Sequence, residues 1–240
     1  MRVSGKILRK IMSALVRRAK IGTRLIDLDR LAKEIIENNR AQSAFFRYQP
    51  EKAAKRFPAF ICASVNDVVV HGIPNFYILK KGDLLKIDIG INYQGYITDA
   101  AKTIAIGVIS DKANLLIKAT KEALEKAIEV CRVNNTLGDI GYAIEKTAKK
   151  YNVSVIRQLG GHGVGFNLHE DPTIHNFGAP KTGIVLKEGM VLALEPMFCL
   201  GSGEITGLSD GSFVTADNTL SAHFEHTVAI TKKGPRILTK

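Results

Sequence analysis

Apolar positions along the chain follow two periods, and the change from one to the other marks its elements. Ile7, Ile11 and Leu15 recur at every fourth position among lysines and arginines, which predicts an amphipathic helix with a basic outer face at the start. Helical spacing also covers residues 25–39, residues 111–131 with Leu116, Leu124, Ile128 and Cys131 along one side, and residues 137–151. Strand patterns fill residues 59–70, residues 84–106 and much of residues 153–230. In LLKIDIGI, Ile87, Ile89 and Ile91 fall on one face and Asp88 on the other. Asn92, Tyr93, Gln94 and Gly95 have turn composition, so a hairpin is expected there. Centred between Tyr93 and Gln94, it sets Asp88 directly opposite Asp99. Carboxylates so opposed, with Cβ atoms about 5 Å apart, repel each other unless a cation lies between them. The expected fold class is α+β: helices on one face of a curved, mainly antiparallel sheet, in one domain over residues 1–240 built from two halves.

At 240 residues and 45% hydrophobic, the chain can bury a substantial core, and no apolar run approaches the roughly 20 residues of a membrane span. Cys62, Cys131 and Cys199 are odd in number and lack metal-finger spacing, which points to reduced thiols and a cytoplasmic protein, and the start has no secretory h-region. Of the formal net charge of +11, residues 1–24 contribute +8, from Arg2, Lys6, Arg9, Lys10, Arg17, Arg18, Lys20 and Arg24 with no acidic residue. An Arg-rich, acid-free start also resembles an organelle transit peptide. The other reading is a helix belonging to the fold itself. Its basic face has two readings, attraction to ribosomal RNA and simple solubility.

The chemistry is concentrated in five short motifs spread over 138 residues: Asp88 in KIDIG, Asp99 in GYITDA, His162 in GHGVG, Glu195 in LEPM and Glu225 in HFEHT. Acidic side chains in apolar, strand-like runs are costly to desolvate, and convergence on metal ions removes that cost. The formal charge of the four carboxylates matches two divalent cations. Glycines flank His162, which suggests an open loop whose backbone approaches an ion or substrate. Pro196 holds Glu195 extended at a strand end. Taken singly, each acid reads as a turn or cap residue; it is the set that points to metal. HEDPTIH has the wrong histidine spacing for a zinc-protease helix and contains Pro172, and neither GxGxxG nor GxxxxGK[ST] occurs.

These motifs, together with SVNDVVVHGIP (residues 64–74), LHEDP and LSAHFEHT, run over almost the whole chain, and the chain resembles the type I methionine aminopeptidases, metallopeptidases of the pita-bread fold. The 33-residue step from His162 to Glu195 leaves no room for the helical insertion of type II enzymes. The resemblance implies that Asp88, Asp99, His162, Glu195 and Glu225 ligate two divalent ions, with His71 and His169 as catalytic histidines. Oxygen-rich ligation with one imidazole suits manganese, iron or cobalt, and also admits zinc. The implied reaction is hydrolytic removal of the initiator methionine from nascent polypeptide N-termini, by a monomer. The substrate's free amine binds metal, Glu195 moves the proton of the attacking water, His169 supports the carbonyl oxygen, and His71 contacts the scissile nitrogen or steers the substrate.

The methionine pocket implied by the resemblance comprises Tyr48, Phe57 and Cys62, together with His71, Leu168 and His169. Leu168 replaces a common Phe, and the chain has no Trp on the late loop, where Phe213 is the candidate to refill the space. His223 stands where the family usually has Gln, as a perturbing or a tolerated neighbour of Glu225; His175 and His226 read as structural. The basic segment QPEKAAKR, residues 49–56, is longer than usual, as a solvated insertion or a rim over the site. Three rivals share parts of the pattern. They are a prolidase or Xaa-Pro aminopeptidase, an inactive pita-bread binding protein, and a basic nucleic-acid module, the last lacking stacking aromatics and a recognition motif.

Overall fold

The computed structural model describes residues 1–49 and 55–240. The middle of the basic 49–56 segment therefore lies outside the described residues. Two helices open the chain, α1 (Arg2–Arg18) and α2 (Leu25–Asn38). Five strands follow, β1 (Gln42–Ser43), β2 (Cys62–Val65), β3 (Val68–Val70), β4 (Leu84–Tyr93) and β5 (Tyr96–Ala105). Next come α3 (Asp111–Val130) and α4 (Leu137–Tyr151). The remainder is β6 (Ser154–Val155), β7 (Gly160–Gly163), β8 (Glu170–His175), β9 (Val191–Leu194), β10 (Met197–Cys199), β11 (Ile205–Gly207), β12 (Phe213–Thr215), β13 (Ser221–His223), β14 (His226–Thr231) and β15 (Gly234–Ile237).

All four helices fall where helical spacing places them. In α1 the buried residues include Ile7, Leu8, Ile11 and Leu15, and Arg17 and Arg18 in its last turn complement the helix dipole. Ser4 donates to the Ile91 carbonyl at 2.8 Å, and Gly5 packs so close to the Leu238 carbonyl that a Cβ there would overlap it. The first helix is thus integral to the fold. The N-terminus of α4 carries a Thr136–Asp139 capping box, and its end turns through left-handed Asn152.

Among the described residues, strand pairing is antiparallel throughout and is divided among four sheets rather than one. Residues 59–70 form two strands, because Asn66 adopts a left-handed turn between Val65 and Val68. In each half, alternate residues of the long strands face a helix pair: Ile87, Ile89 and Ile91 pack in the core of α1 and α2, while Leu192, Leu194 and Val228 pack in that of α3 and α4. The intervening residues, Asp88 on β4 and Ala193 on β9, therefore face the opposite side, where the halves meet.

The hairpin register corrects the sequence expectation. β4 and β5 pair Tyr93 with Tyr96, Gly90 with Asp99 and Asp88 with Ala101, so the turn is Gln94–Gly95. Both turn residues have positive φ, 53° and 83°, and a two-residue turn of this kind matches the twist of the strands. Asp88 and Asp99 are diagonal rather than directly opposed. The partner sum shifts by two, so both carboxylates stay on the same face.

Candidate metal centre and substrate pocket

A cavity of about 670 Å³ opens between the halves. Except for Phe213, every residue named above as a candidate ligand, catalytic group or pocket residue lines it: Asp88, Asp99, His162, Glu195 and Glu225, then His71 and His169, then Tyr48, Phe57, Cys62 and Leu168. Ligand atoms of Asp99, His162 and Glu225 lie within 4.8 Å of one another. His162 Nδ1 is 2.8 Å from the Gly163 carbonyl. Donation to that oxygen leaves the Nε2 lone pair facing the cluster, where it lies 3.6 Å from Glu195 Oε1.

Electrostatics explain why the cluster calls for cations. Burial, with the charges of Asp99 and Glu195, pushes the Asp88 carboxyl well above its usual range. Burial and neighbouring carboxylates do the same to Glu195 and Glu225, and burial raises Asp99 to about 7 against a backbone hydrogen bond from Ala100. Asp88 Oδ1 and Glu225 Oε1 are buried without a hydrogen-bond partner among the described residues. Four buried carboxylates, two of them with an orphaned oxygen, fit divalent cations by donor chemistry and charge.

Rigid elements carry these groups. Asp88 and Asp99 sit within strands, Glu195 follows β9, and Glu225 separates β13 from β14. Asp99 and Thr227 exchange two hydrogen bonds, and Glu225 donates its backbone N–H to Ala101, which ties the ligands of the two halves together. Asn176 donates to the Glu195 carbonyl at 3.1 Å. On β4 itself, fully buried Lys86 donates to the Asn66 carbonyl at 2.6 Å and to Ser221 Oγ at 3.1 Å, holding the β2–β3 turn against β13; burial lowers its pKa to about 7. Thr227, Asn176 and Lys86 were not singled out in the sequence, where each reads as an ordinary strand or loop residue.

The glycines around His162 have a different role from the one expected. They lie in strand β7, and a Cβ at Gly160, Gly161 or Gly163 would overlap the carbonyl of Ile174, Ala193 or Asp171. They admit close strand packing between β8 and β9, and the segment is a strand rather than an open loop.

His169 lies beside His162, ring centroids 4.5 Å apart, and its Nδ1 is 2.7 Å from the Tyr48 hydroxyl. Burial, then the nearby His162 and His71, lower its pKa to about 4, so the ring is neutral. A phenol donating to Nδ1 leaves Nε2–H as the free donor. His71 occupies left-handed backbone at φ 59°, its ring 5.9 Å from that of Phe213. Burial lowers its pKa while the Gly211 carbonyl opposes the shift.

The apolar wall joins Phe45, Cys62, Ile97, Val164 and Leu168, with Tyr48 and Phe57 packed against it. Phe45 was not anticipated; it meets Phe57 edge-on at 6.3 Å and supplies another ring. Phe213 belongs to a separate cluster with Val70 and Met197 and does not join this wall. Backbone hydrogen bonds from Phe57 N–H to the Tyr48 carbonyl and from Arg47 N–H to the Phe57 carbonyl, both 2.8 Å, close the base of the 49–56 segment, whose Lys55 and Arg56 reach the cavity. His226 Nδ1 is 2.9 Å from Thr239 Oγ1, and His175 packs on Phe177, both away from the cluster.

The model of metallopeptidase family M24 matches residues 1–232. Among curated relatives, the methionine aminopeptidase of Clostridium perfringens is 44% identical over all of this chain and 94% of its own length. Methionine aminopeptidase 1 of Bacillus subtilis is 41% identical over all of this chain and 95% of its own. The crystal structure of the Thermotoga maritima methionine aminopeptidase matches the whole chain, and 95% of its own, at 39% identity with a TM-score of 0.95. The prolidase of Pyrococcus furiosus, at 23% identity, TM-score 0.78, 100% of this chain and 62% of its own, shares the fold. The pita-bread fold is therefore borne out, and the chain belongs to metallopeptidase family M24, whose members are metal-dependent peptidases.

Proposed function

We propose that the chain is a metal-dependent methionine aminopeptidase that removes the initiator methionine from nascent polypeptide N-termini, working in the cytoplasm as a single-domain monomer. One observation carries the reading: the groups of Asp99, His162 and Glu225 lie within 4.8 Å of one another beside an apolar wall in one cavity. Curated relatives at 36–44% identity carry the same activity in their names.

Asp88, Asp99, His162, Glu195 and Glu225 would hold two divalent ions, with manganese, iron, cobalt or zinc compatible with the donor set. When bound, the ions lower the pKa of a water and polarise the scissile carbonyl. Glu195 takes the proton of the attacking water and delivers it to the leaving amine. His169, its Nδ1 occupied by Tyr48, points Nε2–H at the carbonyl oxygen as negative charge develops there. His71 contacts the scissile nitrogen or steers the substrate. Tyr48, Phe57, Cys62 and Leu168 enclose the methionine side chain, for which an apolar shape suffices.

The experiment uses metal-stripped protein, Met-Ala-Ser and an Xaa-Pro peptide. Methionine released on adding Mn2+, stopped by chelator, with the Xaa-Pro peptide intact, supports the reading. Cleavage of only the Xaa-Pro peptide turns it to a prolidase, and cleavage of neither turns it to a binding protein.

The outer face of α1 supports a second element, ribosome association. All eight basic residues of positions 1–24 are exposed, and Arg9, Arg17 and Arg18 lie on the helix itself. Salt-sensitive cosedimentation with ribosomes, lost on reversing those three charges, is the expected result; unchanged binding removes this element.

A further inference from the structure

Glu195 presents its two carboxylate oxygens to different imidazoles. Oε1 lies 3.6 Å from His162 Nε2, on the side of the ion cluster, and Oε2 lies 3.3 Å from His223 Nε2. His223 is 1% exposed, yet its Nε2 has no hydrogen-bond partner among the described residues. A buried ring nitrogen left unpaired is destabilising, so a partner is called for. The ring does not reach its position by chance. His223 donates its backbone N–H to Thr103 Oγ1 at 2.9 Å, and Thr103 Oγ1 donates back to the His223 carbonyl at 2.7 Å. Strand pairing with Met197 fixes it two residues beyond Glu195 in the neighbouring chain segment.

We propose that His223 is a positioning residue for Glu195, its Nε2–H donating to Oε2 so that Oε1 is committed to the ion cluster beside His162. The 3.3 Å separation is within donor range but not aligned, and the terminal torsion of Glu195 is soft enough for its carboxylate to turn. A donor fixed on one oxygen keeps the other oriented, as outer partners of metal-bound groups generally do. This inference rests on the metal-centre reading above.

The test compares His223→Leu, which keeps volume without a donor, and His223→Gln, which restores an N–H, in the full chain. Mn2+ binding to metal-stripped protein is measured by calorimetry, and kcat and KM on Met-Ala-Ser separately. The Leu variant should bind Mn2+ at least about tenfold more weakly and lose kcat by a similar factor with KM unchanged, while Gln stays within about threefold of wild type. Rescue by Gln separates loss of the donor from loss of folding, which thermal unfolding of the metal-free forms also reads. Wild-type Mn2+ binding and turnover in the Leu variant, or a Gln variant no better than Leu, overturns the proposal. If no form releases methionine but Mn2+ binding keeps this order, the peptidase reading fails and the positioning role stands.

Discussion

Asp99 and Thr227 exchange two hydrogen bonds across the junction of the halves: the Asp99 N–H donates to Thr227 Oγ1 at 2.8 Å, and that hydroxyl donates to the Asp99 carbonyl at 2.7 Å. A hydroxyl at position 227 thus sets the backbone of a candidate ligand from a strand 128 residues away. Thr227→Val keeps the shape and strands both groups. It should destabilise the protein by about 1–3 kcal/mol and weaken metal binding, whereas Thr227→Ser should come close to wild type. Denaturant unfolding and Mn2+ calorimetry check this, and a silent Val variant would show that the pair does not hold the ligand.

The Tyr48–His169 contact predicts a graded effect on turnover. His169→Ala should keep its metal and lower kcat by about 10²–10³-fold. Tyr48→Phe, which frees Nδ1 without removing the ring, should lower kcat about five- to tenfold. Metal analysis beside steady-state kinetics separates these from loss of the centre; a metal-free Ala variant would assign His169 to the metal site instead.

Asp99 gives a pH signature to the metal-free protein. Burial raises its folded-state pKa to about 7, above the ordinary aspartate value of about 3.9. The folded form then holds the proton more tightly, so this contribution to stability is present at low pH and lost as pH rises through about 7. Asp99→Asn, which cannot ionise, should melt above metal-free wild type at pH 8, with the advantage shrinking toward pH 5. Added Mn2+ should invert the order at pH 8. Equal melting temperatures across this range would contradict the electrostatic account.

The apolar wall predicts the order of side chains accepted. Its rings come from Phe45, Tyr48 and Phe57, with Leu168 and Cys62 between them. Peptides beginning with Met and norleucine should be cleaved faster than one beginning with Leu, and Phe45→Ala should raise KM for Met more than it lowers kcat. Leu cleaved faster than Met would overturn the pocket assignment.

What the sequence revealed divides along physical lines. Helices α1 to α4 were legible because each buries one continuous face, so a 3.6-residue period survives in the residues themselves. The five candidate ligands were legible because acids within apolar strands contradict their surroundings. The hairpin centre was misjudged because Asn92, Tyr93, Gln94 and Gly95 admit two turns, and the positive φ of Gln94 and Gly95 decides between them. The glycines of β7 were misread because what they avoid, the carbonyls of Ile174, Ala193 and Asp171, is remote in sequence. Thr227 and Phe45 act through partners across the fold, and composition carries no trace of such contacts.

The central claim is that the carboxylates of both halves and His162 close around ions. Anomalous scattering at the manganese edge from crystals of the Mn2+-loaded protein tests it directly. Strong density among the side chains of Asp99, His162 and Glu225, with Asp88 and Glu195 turned toward it, is the predicted result. Manganese bound elsewhere, with those five side chains apart from it, would contradict the account.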